Sequence, residues 1–459
     1  MAEGDLVERL RQYLRGLSPE ARSLLMTELE RGQLRGEDMS GAELVLQELR
    51  RDARANSRPK RPGNLARLFF QPLEPFLVDD SGPHSPPGRI PRTALEPIWE
   101  WICRDLMPGE AKAVTEQVAR AFENDEAERA AVLAKNFQDR AVLRIEEALA
   151  RRRLTGQTVT PRALQDVAAV LTVIKARHTL ATFAAQLPVH IVTRDESDFA
   201  GVKVVLDSLA ARHPELFVYG LVIAMGRLGA SWQLIRLASH AAGSNDAKRI
   251  ADTPYAVCVD IVISEIQRLI DELKMELRVG SGTGAVTLVN RIHGAVHGSR
   301  AHIRLSDESS WARAFAAVHT EFSDLLKGEI ETLPGRVRRL LRPRPLREIA
   351  PNSALDQGSV AEIEAQIALV KTCRGFAADL ALGELTARAW SDLEHYLEPA
   401  ALSLVESLGL AGETDRGFRE SQVDAAVRFC RPVFGDGATA TILKARDRAV
   451  AARPKQAKG

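Results

Sequence analysis

The chain has 459 residues, with 62 Lys+Arg against 61 Asp+Glu and a net charge of +1 at pH 7. That balance excludes a strongly polycationic or polyanionic protein and gives no bulk attraction to nucleic acid or membrane. Hydrophobic residues make up 45% and aromatics only 5%, so the apolar matter is mostly Leu, Ala and Val, which favours helix over sheet.

The first segment, 1–55, is predicted to hold short helices. Ser18 before Pro19 is an N-cap with proline at the first helical position, and Gly32 can close that helix. Ser40 with Glu43 forms a capping-box pattern ahead of Leu44, Leu46 and Leu49. A basic linker and an irregular Pro/Gly-rich segment then occupy 56–91. Arg58, Pro59, Lys60, Arg61, Pro62 and Gly63 offer no apolar face. The cluster Leu68, Phe69, Phe70, Leu73, Phe76 and Leu77 must bury, as core or as interface, whereas Ser81–Gly88 reads as a surface loop.

A main helical domain is predicted over 92–330. It opens with the apolar cluster of Ile98, Trp99, Trp101 and Ile102, read as core, followed by a long charged segment over about 109–153, rich in Ala, Glu and Arg. Thr160-Pro161 starts a helix that Pro188 stops, and His213-Pro214 and Thr253-Pro254 repeat the device. After Thr253, Val262, Ile266, Leu269, Ile270, Leu273 and Leu277 fall on one helical face, with Glu265, Arg268, Asp271, Glu272 and Glu276 opposite, until Gly280. An Arg/Pro-rich connector follows at 331–358, marked by Pro334, Gly335, Pro343, Pro345 and Pro351. A C-terminal helical domain with a basic tail covers 359–459. It opens on a Ser359/Glu362 capping box, and Ser421/Asp424 is a weaker one. Strand signals are thin, with Val189–Thr193 the one candidate, and no fixed repeat length emerges. The reading is an all-α fold, an irregular helical array of α-solenoid-like form or two packed helical bundles.

The acidic start Met1-Ala2-Glu3-Gly4-Asp5 lacks the pattern of a secretory signal, and no run reaches the ~20 apolar residues of a transmembrane helix. Cys103, Cys258, Cys373 and Cys430 stand alone, without zinc or redox spacing. These features predict a cytoplasmic chain whose cysteines act as small hydrophobes.

Chemistry-bearing residues cluster in few places. His293 and His297 sit at i, i+4 on one helical face with His302 shortly after, a spacing that could ligate a metal. The residue after the first histidine is Gly294, not the glutamate of a metalloprotease, so no general base is supplied. His293 also shares its face with Val286, Val289 and Val296, so a buried, hydrogen-bonded histidine is the plainer reading. The run Gly280–Gly284 could offer backbone amides to an anion beside Arg278 or Arg291. It lacks the Lys-Ser/Thr pair of a P-loop, because Ala285-Val286 follows. Asp392, His395 and Glu398 share a helical face and read as a solvated polar surface. No Gly-x-Ser-x-Gly elbow is present.

Arg336, Arg338, Arg339, Arg342, Arg344 and Arg347 fall within twelve residues, interleaved with Val337, Leu340, Leu341 and Leu346. Guanidinium forks suit carboxylates and phosphates, and the absence of aromatics in the run argues against stacked single-stranded nucleic acid. The sequence therefore favours a non-enzymatic interaction or scaffold protein that engages an acidic protein partner through these arginines and needs no cofactor. The alternatives are a metal- or anion-dependent enzyme centred on Gly280–His302, with His293, His297 and His302 as ligands, and binding to a phosphate backbone or anionic lipid. The Ala/Arg/Leu-rich composition resembles that of proteins from high-GC bacteria, a likeness that carries no activity.

Overall fold

The computed structural model describes residues 64–79, 86–150, 161–191, 193, 198–279, 284–306, 308–350, 353–379, 381–412 and 414–451, together with Leu25, Leu29 and Val45. The expected caps at Ser18 and Ser40, the linker at 58–63 and the glycine run 280–283 lie outside these residues. Among the described residues the protein is an all-α helical array, 82% helical with 16 helices and almost no strand.

The series opens with α1 (Leu65–Phe70), a 3-10 helix (Gln71–Phe76), β1 (Leu77–Val78), β2 (Ile90–Pro91), α2 (Leu95–Trp101), α3 (Pro108–Glu123) and α4 (Ala127–Ala150). Next come α5 (Pro161–Lys175), α6 (Arg177–Gln186), α7 (Asp198–Arg212), α8 (Phe217–Met225), α9 (Gln233–Ala242) and α10 (Ala247–Ala251). The longer helices follow: α11 (Val257–Val279), α12 (Ala285–His302), α13 (Ser310–Leu341), α14 (Gln357–Arg374), α15 (Gly383–Gly409) and α16 (Arg416–Ala451).

Backbone contacts divide the chain into two units, one of residues 1–69 with 107–141, the other of 70–106 with 142–459. In the first, Phe69 meets Phe137 edge-on at 5.9 Å between ring centroids. Gln138 Nε2 donates to the carbonyls of Leu68 and Phe69, which satisfies a buried amide on the end of α1. Residues 65–76 are helical rather than irregular. Leu65, Phe69, Leu73 and Phe76 recur at i, i+4, i+8 and i+11, and all are buried. Pro72 and Pro75 tighten the second half into a 3-10 turn. The charged segment that begins near 109 holds two helices, α3 and α4, separated where Asp125 takes a left-handed φ of 59°.

The second unit holds the longer helices. Val262, Ile266, Ile270 and Leu273 of α11 are fully buried, and the helix packs on α9, α12 and α13. Each such side chain is worth about 1.5–3 kcal/mol of burial, so this stripe fixes the middle of the unit. The Thr253 side chain accepts from the Tyr255 amide, as its sequence context predicts. Gly298 of α12 faces Trp232, whose ring atoms would lie 2.4 Å from an added Cβ, so the glycine sets how closely the two can approach. No single described helix is long and apolar enough to cross a membrane. The α5–α6 pair meets the length and composition only when taken together across a 63° bend. Among the described residues, the strand expected at Val189–Thr193 shows one bridge, between Ile191 and Leu228, while β1 and β2 form a parallel pair with Leu77 opposite Ile90.

Two expected caps shift. The α14 N-cap is Asp356, whose carboxylate accepts from the Ser359 amide and hydroxyl, so Ser359 is the third helical residue rather than the cap. Ser421 lies inside α16. Its hydroxyl donates to the Phe418 carbonyl and accepts from the Leu355 amide. Helix α16 reverses at Gly435, where φ is 80° and ψ is 175°, a conformation open essentially to glycine alone. The limb after Gly435 folds back, placing Arg446 against Asp424 and the Arg416 guanidinium on the Val450 carbonyl.

Candidate functional site

Helix geometry explains which histidines meet. At about 100° per residue, four residues bring His297 nearly above His293, while nine carry His302 to the opposite side. His302 accordingly lies apart. Its ring stacks on Trp232 at 5.0 Å with an interplanar angle of 5°. Its carbonyl accepts from the Ser239 hydroxyl, and burial, followed by the Arg236 charge, lowers its pKa. That environment holds the ring neutral and packed, and it does not join His293 and His297.

What does join them is Asp379, in the turn after α14. His293 Nε2 lies 2.9 Å from Asp379 Oδ2, and His297 Nδ1 lies 3.7 Å from the same oxygen. One ligand atom from each of the three falls within 4.8 Å of the others. His293 is mostly covered at 22% side-chain exposure, whereas His297 at 68% and Asp379 at 50% open to solvent. Phe376 stacks on the His293 ring at 4.1 Å. His319 of α13 places Nε2 2.9 Å from the Asp379 carbonyl oxygen, which ties the turn to a third helix. The His293 hydrogen bond holds the Asp379 carboxyl below the usual carboxylate range, and the charges of His293, His297 and Arg300 add to it against partial desolvation.

The arginine run is contiguous in sequence but divided in space. Arg336 donates to Glu362 and Gln366 of α14. Arg338 pairs with Asp392 and lies over the Tyr396 ring. Arg342 bonds Glu348, and Arg344 lies 5.1 Å over Phe418. Arg339 and Arg347 are exposed and make no ion pair among the described residues. Leu346, adjacent to Arg347, is 62% exposed. The connector that carries them is anchored, since Gln422 Nε2 donates to the Arg342 carbonyl at 3.1 Å.

Other candidates are absorbed by the fold. Within the exposed face expected of Asp392, His395 and Glu398, Asp392 serves Arg338 and His395 bonds Ser391. Arg291 lies 3.9 Å from Glu265. Trp99 meets Phe70 edge-on, and the Trp101 indole N–H is buried without a hydrogen-bond partner among the described residues. A groove of about 410 Å3 between α14 and the two limbs of α16 contains Arg428 and Arg446, already committed to Glu364 and Asp424. It is lined by no histidine or cysteine.

Comparisons with family models, curated proteins and solved structures find no match to this chain.

Proposed function

We propose that this all-α chain is a non-enzymatic interaction protein that engages an acidic protein segment through the end of α13 and the connector after it. The observation that carries the reading is that Arg339 and Arg347 remain exposed and uncommitted among the described residues, with the exposed Leu346 next to Arg347 in the chain. Their four neighbours in the run are spent on the fold. Two free guanidinium groups and an exposed apolar side chain within nine residues of chain suit a segment that carries both carboxylates and a leucine or similar residue. Preorganisation of the connector by Gln422 and Arg344 lowers the ordering cost of such a contact.

The test uses the full chain and a fluorescent peptide of alternating Glu and Leu, with duplex DNA as a separate probe. The peptide binds with an affinity that falls as salt rises. The Arg339→Glu, Arg347→Glu double variant loses tenfold or more while its melting temperature stays close to that of the parent. Retention of the peptide by the double variant ends the reading. Preference for DNA with a steep salt slope replaces it with phosphate recognition.

A further inference from the structure

We infer that His293, His297 and Asp379 form a divalent transition-metal site, with Zn2+ the ion its donors suit best. This goes beyond the arginine reading and does not depend on it. Two imidazoles and one carboxylate are the ligand types of borderline cations such as Zn2+, and they are too few and too nitrogen-rich for Mg2+ or Ca2+. Three protein ligands leave a fourth tetrahedral position for water.

The geometry is near what the ion requires. At metal–ligand distances of about 2.0–2.2 Å, tetrahedral ligand atoms lie roughly 3.3 Å apart. The two nitrogen-to-carboxylate distances, 2.9 and 3.7 Å, bracket that value. The ion would take the place of the hydrogen bond between His293 Nε2 and Asp379 Oδ2, with each atom turned to the metal. The exposure of His297 and Asp379 gives the ion a path in.

The surroundings are built to hold these ligands. Phe376 fixes the ring plane of His293 from one side. His319 grips the main chain of Asp379 and keeps the turn against α12. These are positioning residues, since neither offers an atom to the ion as arranged. Bound metal would thus cross-link α12 to the turn between α14 and α15.

The experiment strips the full chain with a chelator and titrates it with ZnCl2 by calorimetry and with Co2+ by visible absorption. One equivalent of Zn2+ binds, and Co2+ gives the absorption of a tetrahedral site. His297→Ala, at an exposed position, and Asp379→Asn each weaken Zn2+ binding tenfold or more, with circular dichroism unchanged. His302→Ala leaves binding intact, which separates this site from the simple histidine count. His319→Ala weakens binding by less than either ligand variant and raises the metal-free mobility of the Asp379 turn in hydrogen exchange. Absence of stoichiometric Zn2+ binding overturns the inference, as does binding that survives both His297→Ala and Asp379→Asn.

Discussion

The arginine end of α13 and the turn after α14 treat sequence proximity in opposite ways. Six arginines packed into one stretch of chain are dispersed: four guanidinium groups find separate neighbours on the fold, and Arg339 and Arg347 stay exposed. His293 and Asp379, 86 residues apart, are brought to 2.9 Å. A dense run of one residue type thus says little about a shared site. Convergence from separate elements says more, because the fold must hold each member in place.

The largest effect separates the inward and outward faces of α13. Leu333 is fully buried, and Leu333→Ala lowers stability by about 2–5 kcal/mol in chemical denaturation. Arg339→Ala, further along the same helix, changes it by less than about 0.5 kcal/mol. Similar losses for the two would erase the distinction between spent and free positions. On the histidine side, Gly298→Ala drives a Cβ into Trp232 and destabilises by about 1–3 kcal/mol. A smaller shift would mean that Trp232 yields and that α12 is less firmly seated than its packing indicates.

Arg336→Ala removes bonds to Glu362 and Gln366 and costs about 1 kcal/mol, reduced by solvent screening at this half-exposed pair. A loss clearly above that of Arg339→Ala confirms that the run is divided. The smallest effect is a pH dependence elsewhere on α13. Desolvation works against the Glu321 carboxylate, but bonds from Lys274 and Gln267 and the Lys274 charge outweigh it, so its pKa lies below the ordinary value. A carboxyl depressed in the folded state stabilises above its unfolded pKa of about 4.3, and this is lost as pH falls through the folded value. Melting temperatures from about pH 6 to about pH 3 therefore drop less steeply for Glu321→Gln than for the parent.

Much of the helical frame is legible in the sequence, for specific reasons. The α11 stripe keeps a helical period over several turns, and Thr253-Pro254 combines a cap with a helix-starting proline. The α14 start is harder to place because Asp356 and Ser359 are both capping residues, and only the backbone shows which is used. The reversal at Gly435 lies in a stretch that also holds Pro432 and Gly437, and the sequence alone does not say which residue turns the chain. Two of the three members of the histidine cluster follow from i, i+4 spacing, and the same helical arithmetic sets His302 on another face. Asp379 carries no signal of its own. The turn it occupies, after Gly375 closes α14, is marked, but its partner helix is set by tertiary packing alone. The division among the arginines is likewise invisible, since Glu362, Asp392 and Phe418 arrive from three later helices.

The hairpin made by Gly435 bears on how this polypeptide self-assembles. The bonds that close it, Arg446 to Asp424 and Arg416 to Val450, join residues within one hairpin, the second across 34 positions. Little chain entropy is spent in forming such local loops, and native sets dominated by near neighbours form fast. These two limbs can zip together before distant helices arrive, offering α14 and α15 a ready template on which to condense.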